Sequence, residues 1–161
     1  MPMKIVRAER REQISAIRAL FREYEQFLNV DLRFQGFEKE WAQLPGRYAP
    51  PEGELLLSEV DGGWAGCVAL RKIGEGVCEM KRLFVRPQYR GLGLGRALAE
   101  AIIHEATARG YRLMRLDTLD FLEEAIHLYA SLGFKRIKPY YPNPLPGVVY
   151  WELELGKRKN G

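Results

Sequence analysis

The sequence predicts one mixed α/β domain, with a central sheet and helices on both of its faces. Three observations support this fold class. The stretch from Val77 to Ala101 has the pattern of a strand, a glycine-rich turn and a helix. Asp61-Gly62-Gly63 joins two strand-like runs in the manner of a hairpin. The chain has 161 residues, 47% of them apolar, which is enough for one domain with its own core.

We expect about seven strands and about four helices. The predicted strands are 4–7, 54–60, 64–72, 77–85, 111–117, 134–137 and 148–155. The second, third and fourth strands are joined by short turns and should form an antiparallel meander. A helix separates the fourth strand from the fifth, so these two should be parallel. The sheet is therefore predicted to be mixed and mostly antiparallel, with one parallel pair at strands four and five.

The charge distribution does not predict a nucleic-acid partner. The net charge is +4, but the 25 Lys and Arg residues are interspersed with 21 Asp and Glu residues. The one basic cluster, Lys157-Arg158-Lys159, is interpreted as part of a solvated tail at 157–161.

The cysteines, the histidines and the hydropathy pattern argue against metal, disulfide and membrane functions. Cys67 and Cys78 lack metal-site spacing with each other or with His104 and His127, which favours reduced thiols and no bound metal. The sequence has neither an apolar leader segment nor an 18-residue apolar run. We therefore expect a soluble, cytoplasmic protein that does not bind membranes.

The glycine-rich turn is the strongest candidate binding site. Gly91, Gly93 and Gly95 allow close approach of a ligand to the main chain, and the free N–H groups of the following helix favour an anion. Arg90 and Arg96 flank this turn. The spacing matches neither the G-x-G-x-x-G dinucleotide motif nor the P-loop motif, so the turn predicts a different phosphate ligand.

Arg90-x-x-Gly93-x-Gly95, together with LDTLDFLEEAIHLYASLGF at 116–134, resembles the GNAT superfamily of acetyl-CoA-dependent N-acetyltransferases. This resemblance implies that residues 1–156 form one acyl-CoA N-acyltransferase-like domain with acetyl-CoA as co-substrate. The pyrophosphate of coenzyme A would lie on the turn, and its pantetheine amides would pair with the fourth strand. The implied coenzyme-binding residues are Leu83, Phe84, Val85, Arg90, Gly91, Leu92, Gly93, Leu94, Gly95 and Arg96.

Glu79 is the candidate general base. Strand alternation would place it on one face with Val77, Lys81, Leu83 and Val85, where desolvation should raise its pKa towards neutrality. In the GNAT pattern, a glutamate on this strand is often the base. Two other interpretations remain open: Glu79 could anchor the substrate ammonium, or it could form a structural ion pair with Lys81, Arg82 or Arg112.

Tyr129 is the candidate general acid. It lies on the apolar stripe of the last helix, as a core aromatic residue would. Its L-Y-x-x-x-G-F context resembles the family's tyrosine that protonates the departing thiolate, and this role is compatible with core packing. Leu122 departs from the family pattern at a position where many relatives carry asparagine.

These residues predict an enzyme that moves the acetyl group of acetyl-CoA directly to a primary amine of a small molecule. Two alternatives remain: acetylation of a protein or peptide amine, and a non-catalytic acyl-CoA-binding module. The aromatic segment 34–48 could line the site or pack over the core, and the proline-rich loop 139–147 has the composition of a lid. The expected partners are coenzyme A and a small amine, and the sequence also allows a homodimer.

Overall fold

A seven-stranded sheet forms the centre of the protein. The computed structural model describes residues 3–30, 32 and 36–156, so the predicted tail at 157–161 lies outside the described residues. The strands are β1 Met3–Arg7, β2 Glu54–Val60, β3 Gly63–Gly74, β4 Val77–Val85, β5 Leu113–Leu119, β6 Lys135–Ile137 and β7 Val148–Glu154. Their order is β1-β2-β3-β4-β5-β7-β6, and β4 and β5 form its parallel pair. The predicted fold class and the parallel pair are confirmed.

Among the described residues, four α-helices cover the sheet. They are α1 Arg11–Leu28, α2 Phe37–Ala42, α3 Leu94–Ala108 and α4 Glu123–Ser131. Helix α1 forms because Ile17, Leu20 and Leu28 recur on one buried face. It ends at Asn29, whose φ of 55° is left-handed and closes the helix. Among the described residues, none of the helices has both the length and the apolar character that a bilayer crossing requires.

The sheet separates two hydrophobic cores. On one face, α1 and α2 pack against β2, β3 and Phe84 of β4. On the other face, α3 and Tyr129 of α4 pack against β3, β4, β5 and β7. Because both faces are covered, the central strands are buried along most of their length.

A β-bulge interrupts β4 at Arg82. Cys67 of β3 lies opposite Phe84, whereas Ala69, two residues later, lies opposite Lys81, so β4 contains one additional residue. Arg82 has a left-handed φ of 61°. The bulge reverses the alternation of the strand: Leu83 packs in the core of α3 and α4, whereas Phe84 packs on the α1 side. The prediction that Val77, Glu79, Lys81, Leu83 and Val85 all share one face is therefore wrong beyond the bulge.

The Arg82 side chain fastens α2 over this bulge. Its Nε and Nη2 atoms each donate a hydrogen bond of 3.1 Å to the Glu40 carboxylate, and its guanidinium lies 5.2 Å from the centre of the Phe37 ring. Phe37 and Tyr48 are buried, so this part of the 34–48 segment packs over the core. Phe34, which belongs to the same predicted segment, lies outside the described residues.

The Arg82–Glu40 pair should contribute measurably to stability. Glu40→Ala removes two hydrogen bonds from a guanidinium whose side chain is only 3% exposed, and should lower the free energy of unfolding by about 2–4 kcal/mol. The matched control is Glu38→Ala on the same helix. The Glu38 side chain is 59% exposed, so this variant should lower the free energy of unfolding by less than about 1 kcal/mol. Urea denaturation measures both values, and equal costs would contradict the proposed contribution of the buried pair.

Candidate active site

The candidate active site lies where β4 and β5 separate. The parallel ladder contains three residue pairs and ends with Glu79 opposite Arg115. Beyond this point β4 continues to Val85, while β5 continues to Leu119 and pairs with β7. The edge of β4 that faces the gap has no further strand partner among the described residues. Its backbone groups are therefore available to an extended ligand.

A cavity, called the main cleft below, fills this gap. Its volume is about 440 Å³, within the range of small-ligand sites. Six of the predicted site residues line it: Leu83, Phe84, Val85, Arg90, Gly95 and Tyr129. Five others do not line it: Gly91, Leu92, Gly93, Leu94 and Arg96. Leu94 is buried in a small core with Val60, so its side chain is structural.

The glycine turn next to the main cleft has the geometry of an anion site. Gly91 and Gly93 have left-handed φ angles of 83° and 80°, which favour glycine at both positions. Gly93 caps the N-terminus of α3, so the N–H groups of the first helical turn lack helical acceptors. A Cβ atom added at Gly93 would meet no other atom within 4 Å. The space beside the Gly93 Cα atom is therefore open.

The two flanking arginines behave differently. Arg90 lines the main cleft, donates a hydrogen bond of 3.0 Å to the Val85 carbonyl oxygen and lies 4.6 Å from the Phe27 ring centre. Arg96 instead donates hydrogen bonds to Ser131 at the end of α4 and to Glu100. Arg90 is the better placed of the two for a ligand in the main cleft.

Tyr129 is both a core residue and a wall of the main cleft. Its side chain is buried, and its ring packs edge-on against Phe134 at 5.7 Å. None of the hydrogen bonds among the described residues involves its hydroxyl group. Burial raises the pKa of Tyr129, so the hydroxyl keeps its proton at neutral pH. The position of this protonated hydroxyl beside the cleft allows it to donate a proton, and its raised pKa makes it a weaker acid than an exposed tyrosine.

Glu79 lies in a second cavity, called the charged pocket below. Its volume is about 380 Å³, and its lining residues are Arg71, Ile73, Glu79, Lys81, Arg115, Tyr140, Tyr141 and Pro142. The Glu79 carboxylate accepts a hydrogen bond of 2.8 Å from Arg71 Nε and one of 2.6 Å from the Tyr140 hydroxyl. Of the alternatives for Glu79, an ion pair is therefore present, but its partner Arg71 was not foreseen.

The expected rise in the Glu79 pKa is wrong. Burial acts to raise the pKa, but the charges of Lys81 and Arg71 and the hydrogen bonds of Tyr140 and Arg71 outweigh it, so the pKa lies below its usual value. The structure thus favours a carboxylate that is ionised at neutral pH.

Lys81 connects the two cavities. It lines both the main cleft and the charged pocket, and its side chain is buried. Burial and the neighbouring Arg82 charge lower the pKa of Lys81 to about 8. Lys81 is thus the lining residue that the two cavities have in common.

A family model described as the acetyltransferase (GNAT) family matches residues 14–134. The chain belongs to this family. An uncharacterised N-acetyltransferase of Schizosaccharomyces pombe is 46% identical to it over 148 residues, which cover 91% of each chain. A GNAT-family acetyltransferase of Staphylococcus aureus Mu50 has the same fold, with a TM-score of 0.80 at 18% identity, over 96% of this chain and 100% of that one.

A further GNAT structure contains a ligand. The GNAT-family acetyltransferase of Elizabethkingia anophelis with acetyl-CoA bound matches with a TM-score of 0.56 at 23% identity, over 65% of this chain and 77% of that one. In this chain, the described residues contain no group of three or more His, Cys, Asp or Glu side chains that could hold a metal ion.

The sequence prediction missed most of the charged pocket of this GNAT chain. Arg71, Arg115 and Tyr140 lie in three different segments and carry no local motif. The one available signal was the proline-rich loop, predicted as a lid. Residues 140–142 of this loop line the charged pocket, and Asn143 and Leu145 line the main cleft.

The low pKa of Lys81 predicts a pH-dependent stability difference. A lysine with a pKa of about 8 in the folded chain and about 10.4 in the unfolded chain destabilises the fold at neutral pH, and this penalty disappears as the pH rises between the two values. Relative to Lys81→Met, the wild type should gain roughly 1–3 kcal/mol of unfolding free energy between pH 7 and pH 10.5.

Urea denaturation of both chains across this pH range measures the difference. Lys72→Met is the control, because hydrogen bonds and charges from Glu75 and Glu52 raise the Lys72 pKa. The free energy of unfolding of the wild type minus that of Lys72→Met should decrease as the pH rises. A constant difference between the wild type and Lys81→Met would contradict the low Lys81 pKa.

Proposed function

We propose that this protein transfers the acetyl group of acetyl-CoA directly to a primary amine of a small molecule. One observation carries the proposal: two cavities meet at Lys81, where β4 and β5 separate. The main cleft offers a free strand edge and a helix N-terminus, as an acyl-CoA requires. The charged pocket has room for a compact acceptor.

The residues of the main cleft fit acetyl-CoA. The pyrophosphate would bind the N–H groups at the start of α3, with Arg90 beside it. The pantetheine amides would pair with the backbone of Leu83–Val85, because this edge of β4 has no strand partner among the described residues. Acetyl-CoA bound to the Elizabethkingia GNAT relative supports this choice of co-substrate.

The chemistry requires four groups. The substrate ammonium first loses a proton to water, and the amine nitrogen then attacks the thioester carbonyl carbon while a backbone N–H of β4 polarises the carbonyl oxygen. The nitrogen gives its second proton to water as the C–S bond breaks. Tyr129 donates its proton to the departing thiolate and recovers one from water. We assign Glu79 to attracting the substrate ammonium, because its lowered pKa makes it a weak proton acceptor.

The charged pocket supports a small acceptor over a peptide. Tyr140, Tyr141 and Pro142 of the loop close one wall of the pocket, and Asn143 and Tyr141 hold the loop by hydrogen bonds to Asp117. Its volume of about 380 Å³ matches a small molecule. The two cysteines, Cys67 and Cys78, are buried and unpaired, which supports action in a reducing compartment such as the cytoplasm.

Thiol release from acetyl-CoA with a panel of amines, combined with mass spectrometry of the products, tests the function. We expect an increase of 42 mass units on a small amine, the mass that an acetyl group adds on replacing a hydrogen. If acetyl-CoA binds but no amine releases thiol, the protein is a non-catalytic acyl-CoA-binding module. If only peptides are acetylated, the small-molecule proposal is wrong.

The anion site is tested by Gly93→Asp. The added carboxylate would occupy the open space in front of the α3 N-terminus and repel phosphate, so acetyl-CoA affinity should fall roughly a hundredfold. Gly62→Asp is a matched control, because Gly62 also has a left-handed φ, 81°, and open surroundings but lies in the β2–β3 hairpin. Calorimetry should show normal affinity for the control. Equal acetyl-CoA affinities in the two variants would contradict a phosphate site at this turn.

The acid role is tested by Tyr129→Phe, which keeps the ring packing and removes the hydroxyl. We expect kcat to fall roughly tenfold to a thousandfold, with acetyl-CoA affinity nearly unchanged. Tyr24→Phe is the control, because Tyr24 lines the same cleft and its pKa is also raised by burial, to about 12. Steady-state kinetics on both variants measure the effect. If Tyr24→Phe alone lost turnover, Tyr24 would be the acid instead.

A further inference from the structure

The charged pocket is built around a row of side chains with alternating charge. Arg71 of β3 lies opposite Glu79 of β4, and Glu79 lies opposite Arg115 of β5. Arg115 in turn lies opposite Glu152 of β7. Residues opposite each other on neighbouring strands extend on the same face of a sheet. The row therefore presents an arginine on each side of one carboxylate.

Both arginines keep hydrogen-bonding capacity for a ligand. Arg71 donates its Nε to Glu79, and Arg115 donates its Nε to Glu152, each over 2.8 Å. Among the described residues, the terminal Nη atoms of both guanidiniums make no hydrogen bond. The two Nη atoms of a guanidinium match the two oxygens of a carboxylate. Each arginine is thus fixed on one side and open on the other.

The charge of the pocket lining favours an anionic acceptor. Three cationic side chains, Arg71, Lys81 and Arg115, line the pocket together with one carboxylate, Glu79. A simple ammonium ion would bring a fourth positive charge into this space. The Arg71 and Arg115 side chains are only 20% and 30% exposed, so water screens their charges little. An acceptor that also carries negative charge removes this repulsion.

We propose that the acceptor is an amino acid with an acidic side chain, whose ammonium lies at Glu79 and whose two carboxylates lie at Arg71 and Arg115. This inference rests on the proposed acetyl transfer and names the substrate class of the same site. The charges of such an acceptor, negative-positive-negative, complement the positive-negative-positive row.

The spacing of the row fits this class. The backbones of Arg71 and Arg115 are two strand spacings apart, roughly 10 Å. Glu79 lies between them in the row, so a ligand whose ammonium binds Glu79 reaches both arginines only if its two carboxylates lie close to that ammonium, as in a short aminodicarboxylate. The Glu79 oxygens accept two hydrogen bonds from Arg71 and Tyr140, and a carboxylate can accept about four. Glu79 therefore has capacity left for an ammonium group.

A series of acceptors of equal size tests the proposal on the full chain. The probes are aspartate, asparagine, isoasparagine and aspartic acid diamide, which lose their carboxylates one at a time. With acetyl-CoA, kcat/KM should fall at least tenfold for each carboxylate replaced. Equal values for aspartate and the diamide would overturn the proposal.

Variants of the row test whether its two arginines cause the preference for aspartate over the diamide. Arg115→Gln should reduce the preference for aspartate over the diamide at least tenfold, and Arg115→Lys should reduce it less. Arg71→Lys keeps a charge beside buried Glu79 and should also weaken the preference. Lys135→Gln is the control, because Lys135 lies opposite Glu152 in the same row but outside the pocket.

The ratio between two substrates separates binding from a structural effect. A variant that merely disturbs the fold lowers the rates with aspartate and the diamide together and leaves their ratio unchanged, an outcome that would overturn the assignment of that arginine. Failure of the underlying function is distinct: no amine would release thiol, although calorimetry would still detect acetyl-CoA binding. Acetylation of neutral amines in preference to aspartate would preserve the function and overturn the inference.

Discussion

The early end of the ladder between β4 and β5 determines the rest of the site. Parallel strands that stayed paired would leave no edge for an extended ligand and no gap between the two cavities. Here three residue pairs hold the strands together, and the bulge at Arg82 then turns β4 away from regular alternation. The same bulge sends Phe84 to one core and Leu83 to the other, so a local backbone feature distributes side chains across the whole domain.

The second constraint is electrostatic. Glu79 is buried in the middle of the sheet, where an unpaired carboxylate would be strongly destabilising. The charges of Lys81 and Arg71 and the hydrogen bond from Tyr140 stabilise the buried carboxylate in its ionised form. The surroundings that make Glu79 tolerable in the core also make it a weak base. The same carboxylate can serve stability and attract a cation, but it cannot easily accept that cation's proton.

The sequence predicted the features that depend on neighbouring residues. The strand, turn and helix around Gly93, the hairpin at Asp61 and the amphipathic α1 all follow from local patterns, and the structure confirms them. The charged row was not predictable, because it depends on which residues of four strands lie opposite each other. The register shift between Lys72 and Gly74, beside this row, has no signal in the sequence. The wrong sign for the Glu79 pKa shift followed from this, because the sequence did not show that Arg71 and Tyr140 contact the Glu79 carboxylate.

The loop after β6 lines both cavities, and this has a thermodynamic consequence. Tyr140 and Tyr141 border the charged pocket, and Asn143 and Leu145 border the main cleft. A ligand that binds in one cavity and changes the conformational freedom of this loop also changes the free energy of binding in the other cavity. The reverse effect, of the second ligand on the first, has the same size. The order in which two ligands arrive then affects rates but not the total binding free energy. One short segment thus couples two sites that share few other residues.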